Sequence, residues 1–148
     1  MSANLISYSY KRDEVKAGIL HFGVGNFHRA HLEYLTNLLL ENNPDQKNWG
    51  ICGAMILPQD ERIYTALHQQ KGEYTLTVCG RDGKDEAWKI GSLVELYWGM
   101  NDQEAILNKI ASPDIIIISM TFTEGGYNSE KSTGRFMLED ELVKHDLE

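Results

Sequence analysis

Apolar residues in this chain fall into two kinds of run. Ala17–Phe22, Trp49–Leu57 and Ile115–Ile118 are nearly continuous, as expected of strands covered on both faces. Between them the apolar positions recur at helical spacing. Residues 29–40 read as a helix with Leu35, Leu38 and Leu39 on one face, ended by Asn42-Asn43-Pro44. Pro58 suits the first turn of a second helix, carrying Ile63 and Leu67 and closed by Lys71-Gly72. Asn101 and Glu104 have the spacing of a capping box, opening a third helix to Ile110.

Tyr74–Val78 alternates Tyr, Leu and Val with Thr75 and Thr77, a half-buried strand. Arg81-Asp82-Gly83-Lys84 is a turn. Short strands at Ala87–Ile90 and Leu93–Tyr97 predict a small antiparallel β insertion. Ile115–Ile118 predicts a central parallel strand, and the tail from Asn128 is polar and weakly patterned. The order points to an α/β fold, a doubly wound, mostly parallel Rossmann-type sheet. Residues 1–148 are expected to form one domain.

Composition narrows the function. A formal net charge of −8 argues against broad nucleic-acid binding or an anionic membrane surface, and no apolar run approaches a membrane span. The polar start, Met1 to Arg12, shows no secretory signal, so a cytoplasmic location is expected. Cys52 and Cys79 lie inside expected strands without metal-ligand spacing, so both are expected to be buried free thiols. No metal is expected.

The densest chemistry lies just after the first strand, in His21-Phe22-Gly23-Val24-Gly25-Asn26-Phe27-His28-Arg29-Ala30-His31. A strand, a glycine turn and a helix start present free backbone N–H groups to a phosphate. Gly23 would allow the tight turn, and Gly25 would let a pyrophosphate approach the backbone. His28 stands where the generic G-x-G-x-x-G pattern has its third glycine. His31, one turn on, reads as structural. A second constellation, Ser119-Met120-Thr121-Phe122-Thr123-Glu124-Gly125-Gly126-Tyr127, follows the last apolar run. In a doubly wound sheet both segments would lie beyond the carboxyl ends of the strands, where ligands bind.

Together these two segments resemble the polyol-specific long-chain dehydrogenases, the mannitol 2-dehydrogenase family that also includes fructuronate and tagaturonate reductases. Trp49-Gly50-Ile51-Cys52-Gly53, Asp60-Glu61-Arg62, Tyr74-Thr75-Leu76 and Ser112-Pro113-Asp114 match as well. The resemblance implies an NAD-binding Rossmann domain from a longer enzyme. Hydride transfer would interconvert a polyol and a ketose, or a sugar acid and its keto form. The catalytic lysine and its asparagine and histidine partners would sit in a C-terminal helical substrate domain, absent from this chain.

Cofactor-side roles are implied for Gly23, Gly25, Asn26, Phe27, His28, Arg29, Thr121 and Thr123, and an auxiliary catalytic role for Glu124. Asp60 would accept from the ribose hydroxyls and favour NAD, whereas Arg62 could receive the 2′-phosphate of NADP. Gly125 resembles the mannitol and fructose members; uronate reductases often carry lysine there. The partners implied are NAD(H), a polyol or keto-sugar, and the missing domain. A stand-alone dinucleotide-binding module without catalysis is the other class of reading.

Overall fold

The computed structural model describes residues 5–122 and 124–148. Its strands are β1 (Leu5–Ile6), β2 (Ala17–Phe22), β3 (Gly50–Met55), β4 (Tyr74–Cys79), β5 (Asp85–Ile90), β6 (Leu93–Trp98) and β7 (Ile117–Met120). Its α-helices are α1 (Asn26–Ala30), α2 (Leu32–Asn42), α3 (Glu61–Gln69), α4 (Gly99–Ile110) and α5 (Glu141–Leu147). The main sheet has the order β6-β3-β2-β7, and every pairing in it is parallel. The expected doubly wound arrangement is therefore present.

Core packing follows the strands' two faces. Ile19, Val24, Ile51, Met55, Leu67 and Leu93 form one cluster, bringing α3 onto the sheet. Ala17, Leu20, Cys52, Ala54 and Ile106 form the other, which seats α4 on the opposite side. Gly53 lets Val24 pack directly on β3, because a Cβ there would lie 2.5 Å from the Val24 methyl.

The small sheet differs from expectation. The antiparallel pair is β4 with β5, and β1 adds to β5 in parallel. Strand β6 instead crosses to the main sheet and pairs with β3. Gly91 and Ser92 make the transfer. The Gly91 N–H donates to Asn37 Oδ1 at 2.9 Å, and Ser92 Oγ donates to the Glu33 carbonyl at 2.7 Å. The first bond satisfies the backbone N–H where the chain leaves one sheet, the second ties the crossover to α2, and the fully buried Leu93 then enters the core of the other sheet.

Helix α2 also turns differently. It buries Glu33, Thr36, Asn37 and Leu40, leaving Leu35 60% and Leu39 38% exposed. Asn37 goes inside because its Oδ1 has two fixed donors, the Gly91 N–H and, at 2.7 Å, the Tyr10 hydroxyl. The third helix opens at Gly99, with the Trp98 N–H donating to Asp102 Oδ2 at 3.0 Å, so Asp102 holds its start rather than an Asn101–Glu104 box. Strand β7 pairs only with β2 and is an edge among the described residues, not the expected central strand. Ile116, Ile117 and Ile118 are 62%, 43% and 48% exposed, because no described element covers that edge. The polar tail does contain a helix, α5, whose first turn is capped by Asp140 Oδ1 accepting from the Leu142 N–H at 2.9 Å. Both cysteines are free, but only Cys52 is buried; Cys79 is exposed at the end of β4.

The helix orientation is directly testable. Asn37→Ala strands the Gly91 N–H and should cost about 2 kcal/mol or more, whereas Leu35→Glu should stay within about 0.5 kcal/mol of the parent. Chemical denaturation of the two variants measures both, and the reverse ranking would mean that the leucine face is the inner one.

Candidate functional site

Strand β2 lies between β3 and β7, and Phe22, its last residue, stands opposite Ala54 on one side and Met120 on the other. The chain runs outward from β2 to β3 and β6, then returns through α4 to β7 on the far side. The strand order reverses here, and the crevice beyond the carboxyl ends at such a reversal is where doubly wound sheets bind ligands. The glycine turn and Thr121 share this edge, as expected.

The two glycines differ in kind. Gly23 has φ +89°, a conformation disfavoured for L side chains, so the turn itself needs it. Its N–H donates to the Ala54 carbonyl at 2.9 Å, tying the turn to β3. Gly25 has an ordinary φ of −78°, and a Cβ built there would meet nothing within 4 Å. Packing within the chain therefore does not explain this glycine; a group approaching the backbone from outside would.

Arg29 turns back on the loop. Its Nη1 donates to the Val24 carbonyl and its Nη2 to Asn26 Oδ1, both at 2.5 Å. Asn26 and Arg29 thus brace the turn. Phe27 is 65% exposed and lies against His31, with ring centroids 4.4 Å apart. His28 does not face the crevice. It is 1% exposed, so direct contact with a ligand on the surface is blocked by its own burial.

Beneath the turn His28 joins a polar cluster. Its ring stacks on His21 at 3.7 Å, with 7° between the planes. Its Nε2 lies 3.1 Å from Glu33 Oε1, both side chains being fully buried. The approach is close but poorly angled, and among the described residues none of the four polar atoms of this pair makes a well-formed hydrogen bond. Tyr74 packs alongside, donating to the Arg29 carbonyl at 2.5 Å. Burial, and then the Glu33 carboxylate, raise the Tyr74 phenol far above the ordinary range. His21 reaches the other lip, with Nδ1 2.9 Å from Ser119 Oγ and Nε2 3.3 Å from Thr121 Oγ1. Burial, followed by the neighbouring His28, pushes the His21 pKa down to about 4.

Asp60 stands just beyond β3, at the end of a short 3-10 turn, Pro58–Asp60, that leads into α3. Its Oδ2 accepts from the Leu57 N–H at 3.2 Å. A carboxylate offers about four acceptor positions, so this bond leaves capacity for others. Arg62 is exposed two residues further on. Thr123 lies outside the described residues, and the backbone of Glu124 opens a second 3-10 turn, Glu124–Tyr127.

The family model of the mannitol dehydrogenase Rossmann domain matches residues 17–146. The chain belongs to this family. A polyol:NADP oxidoreductase of Gluconobacter oxydans is 39% identical over all of this chain and 30% of its own length. A D-mannonate oxidoreductase of Escherichia coli is 37% identical over 95% of this chain and 29% of its own. Among solved structures, the ternary complex of Pseudomonas fluorescens mannitol 2-dehydrogenase with NAD and D-mannitol superimposes with a TM-score of 0.84. It is 35% identical, covering 97% of this chain and 29% of that one. The chain thus spans under a third of the length of these relatives.

Within this mannitol dehydrogenase Rossmann domain, the sequence reading missed Glu33 and Tyr74 as parts of the site, and it set His21 and Ser119 in the two segments without a role for either. A signal was available. His21 is the one ionisable residue of β2, and Glu33 interrupts the leucines of α2. An ionisable side chain at a covered position needs a partner, and both close on His28, which stacks on His21 and faces Glu33.

Two outcomes follow for stability. Gly23→Ala should cost about 1–2 kcal/mol because of its positive φ, and Gly25→Ala less than about 0.5 kcal/mol, as read by denaturant midpoints. A depressed folded-state pKa means that His21 favours folding fully above its ordinary value of 6.5 and progressively less as pH falls toward about 4. The melting-temperature gap between parent and His21→Gln should therefore narrow from pH 7 to pH 4. A constant gap would rule out His21 as the titrating group.

Proposed function

We propose that this chain is the cofactor domain of an NAD-dependent oxidoreductase that interconverts a polyol and a ketose, of mannitol and fructose type. The observation that carries the reading is Gly25, an unpacked glycine of ordinary φ in the turn at the strand-order reversal. A dinucleotide pyrophosphate is the group that such a turn accommodates. Bound there, the cofactor supplies a hydride acceptor or donor at the nicotinamide C4.

The chain's own residues fit that group. Gly23 shapes the turn, and Asn26 and Arg29 hold it. Phe27 offers an exposed apolar face, Thr121 stands on the opposite lip, and Thr121 and Thr123 would serve the nicotinamide end. His28 acts from beneath, by seating the helix start. Asp60 would accept from the ribose hydroxyls, and its charge would repel a 2′-phosphate. Glu124 would be an auxiliary acid–base group, since the residues that hold the substrate alkoxide belong to a helical substrate domain outside residues 1–148. The exposed apolar edge at β7 supports a larger whole, because β6-β3-β2-β7 is the 3-2-1-4 part of a doubly wound order that continues beyond strand 4. Among the described residues no helix is long and apolar enough to cross a membrane. A cytoplasmic site of action completes the reading.

Calorimetric titration of the full-length protein with NAD and NADP tests the assignment. NAD should bind more tightly, and Gly25→Ala should weaken it about tenfold or more while leaving the fold intact. Asp60→Asn should lower NAD affinity and raise NADP affinity; an unchanged ratio would leave Asp60 as a brace for the turn after β3 only. Tighter binding of NADP by the parent would favour the second cofactor reading, in which Arg62 receives the phosphate. The isolated 148-residue chain should form no appreciable NADH from mannitol.

A further inference from the structure

The buried cluster beneath the turn has one member that touches both lips of the crevice. His21 is 4% exposed, and its Cα stands opposite Ser119 on β7 and Gly53 on β3. Its two ring nitrogens face two different hydroxyls, Ser119 Oγ and Thr121 Oγ1. One flat side of the ring is covered by His28, which is itself set against Glu33. We propose that His21 is a positioning residue for the crevice, fixing the Thr121 hydroxyl relative to the glycine turn without itself touching the ligand.

The chemistry of imidazole supports this role. A neutral ring carries one N–H and one lone pair, so it donates to one hydroxyl and accepts from the other. Serine and threonine hydroxyls rotate to suit either tautomer. The stack on His28 removes the ring's remaining freedom, because a rotation that kept one hydroxyl bond would lose the face-to-face contact. The groups facing His21 are His28 from α1, with Glu33 of α2 behind it, Ser119 and Thr121 from the β7 segment, and the Gly23 backbone. Gly53 of β3 brings no side chain. Thr121 is exposed beyond the end of β7, and His21 is its side-chain anchor.

Two conservative variants separate anchoring from bulk packing. The Asn amide reaches the place of Nδ1 and can keep the Ser119 bond. The Gln amide reaches the place of Nε2 and can keep the Thr121 bond. The role as stated rests on the nucleotide-binding reading, so the test has one arm with cofactor and one without. In the full-length protein, NAD titration should show His21→Asn weakened about tenfold and His21→Gln within about threefold of the parent. Thr121→Val should weaken binding as His21→Asn does, and the double variant should be no weaker than either. Amide hydrogen exchange without cofactor should be faster at 120–122 in His21→Asn than in the parent, with His21→Gln close to the parent.

Equal affinities and equal exchange in the Asn and Gln variants would overturn the proposal, as would additive losses in the double variant. A parent that binds neither NAD nor NADP would instead defeat the proposed function. The exchange comparison would still decide whether His21 holds the Thr121 segment.

Discussion

Strand β2 is bonded along both edges by parallel neighbours, and the two hydrophobic clusters lie on its two faces. With every edge and face committed, the strand has a single free direction, outward past Phe22. The reversal of strand order at β2 leaves the space beyond its end open, since the connections on either side depart in opposite directions. The glycine turn, the Asp60 turn and the Thr121 lip are all consequences of that placement. A turn of the same composition at an outer strand would have one lip.

The interior beneath the turn is polar where a simpler design would be apolar. His21, His28, Glu33 and Asn37 are all nearly inaccessible. Buried polar groups are costly when unpaired, and they specify geometry when paired. Here the hydroxyls of Ser119, Thr121 and Tyr10 and the backbone at Gly91 answer His21 and Asn37, while His28 and Glu33 are set against each other. The result is a site whose two lips and floor are connected through side chains, although they derive from segments far apart in sequence.

Much of this was legible in the chain itself. Runs such as Ile51–Met55 are apolar at consecutive positions and admit no half-exposed strand, so β2, β3 and the parallel order could be read directly. The two glycine-bearing segments announced the crevice because glycine and hydroxyl residues at strand ends have few other uses. What could not be read was the choice between competing partners. Leucines at 35, 38 and 39 promise a hydrophobic face, and only the tertiary positions of Tyr10, Gly91 and His28 show why Asn37 and Glu33 go inside instead. In the same way Ile115–Ile118 correctly announced a strand that prefers cover on both faces, but periodicity carries no information on what supplies that cover. His28 lay at a motif position that suggested exposure, and a motif does not state which way a ring turns.

The two thiols end up in opposite chemical situations. Cys52 sits in the middle of β3, fully buried, and burial pushes its pKa to about 12, whereas Cys79 lies at the surface on the smaller sheet. A thiol must be both ionised and reached by a reagent to react. Cys79 is within reach of an alkylating reagent in the native protein, while Cys52 is reached only when the parallel sheet parts. The chain thus carries its own internal clock for opening of the main sheet, with the surface thiol as the reference against which the slow one is timed.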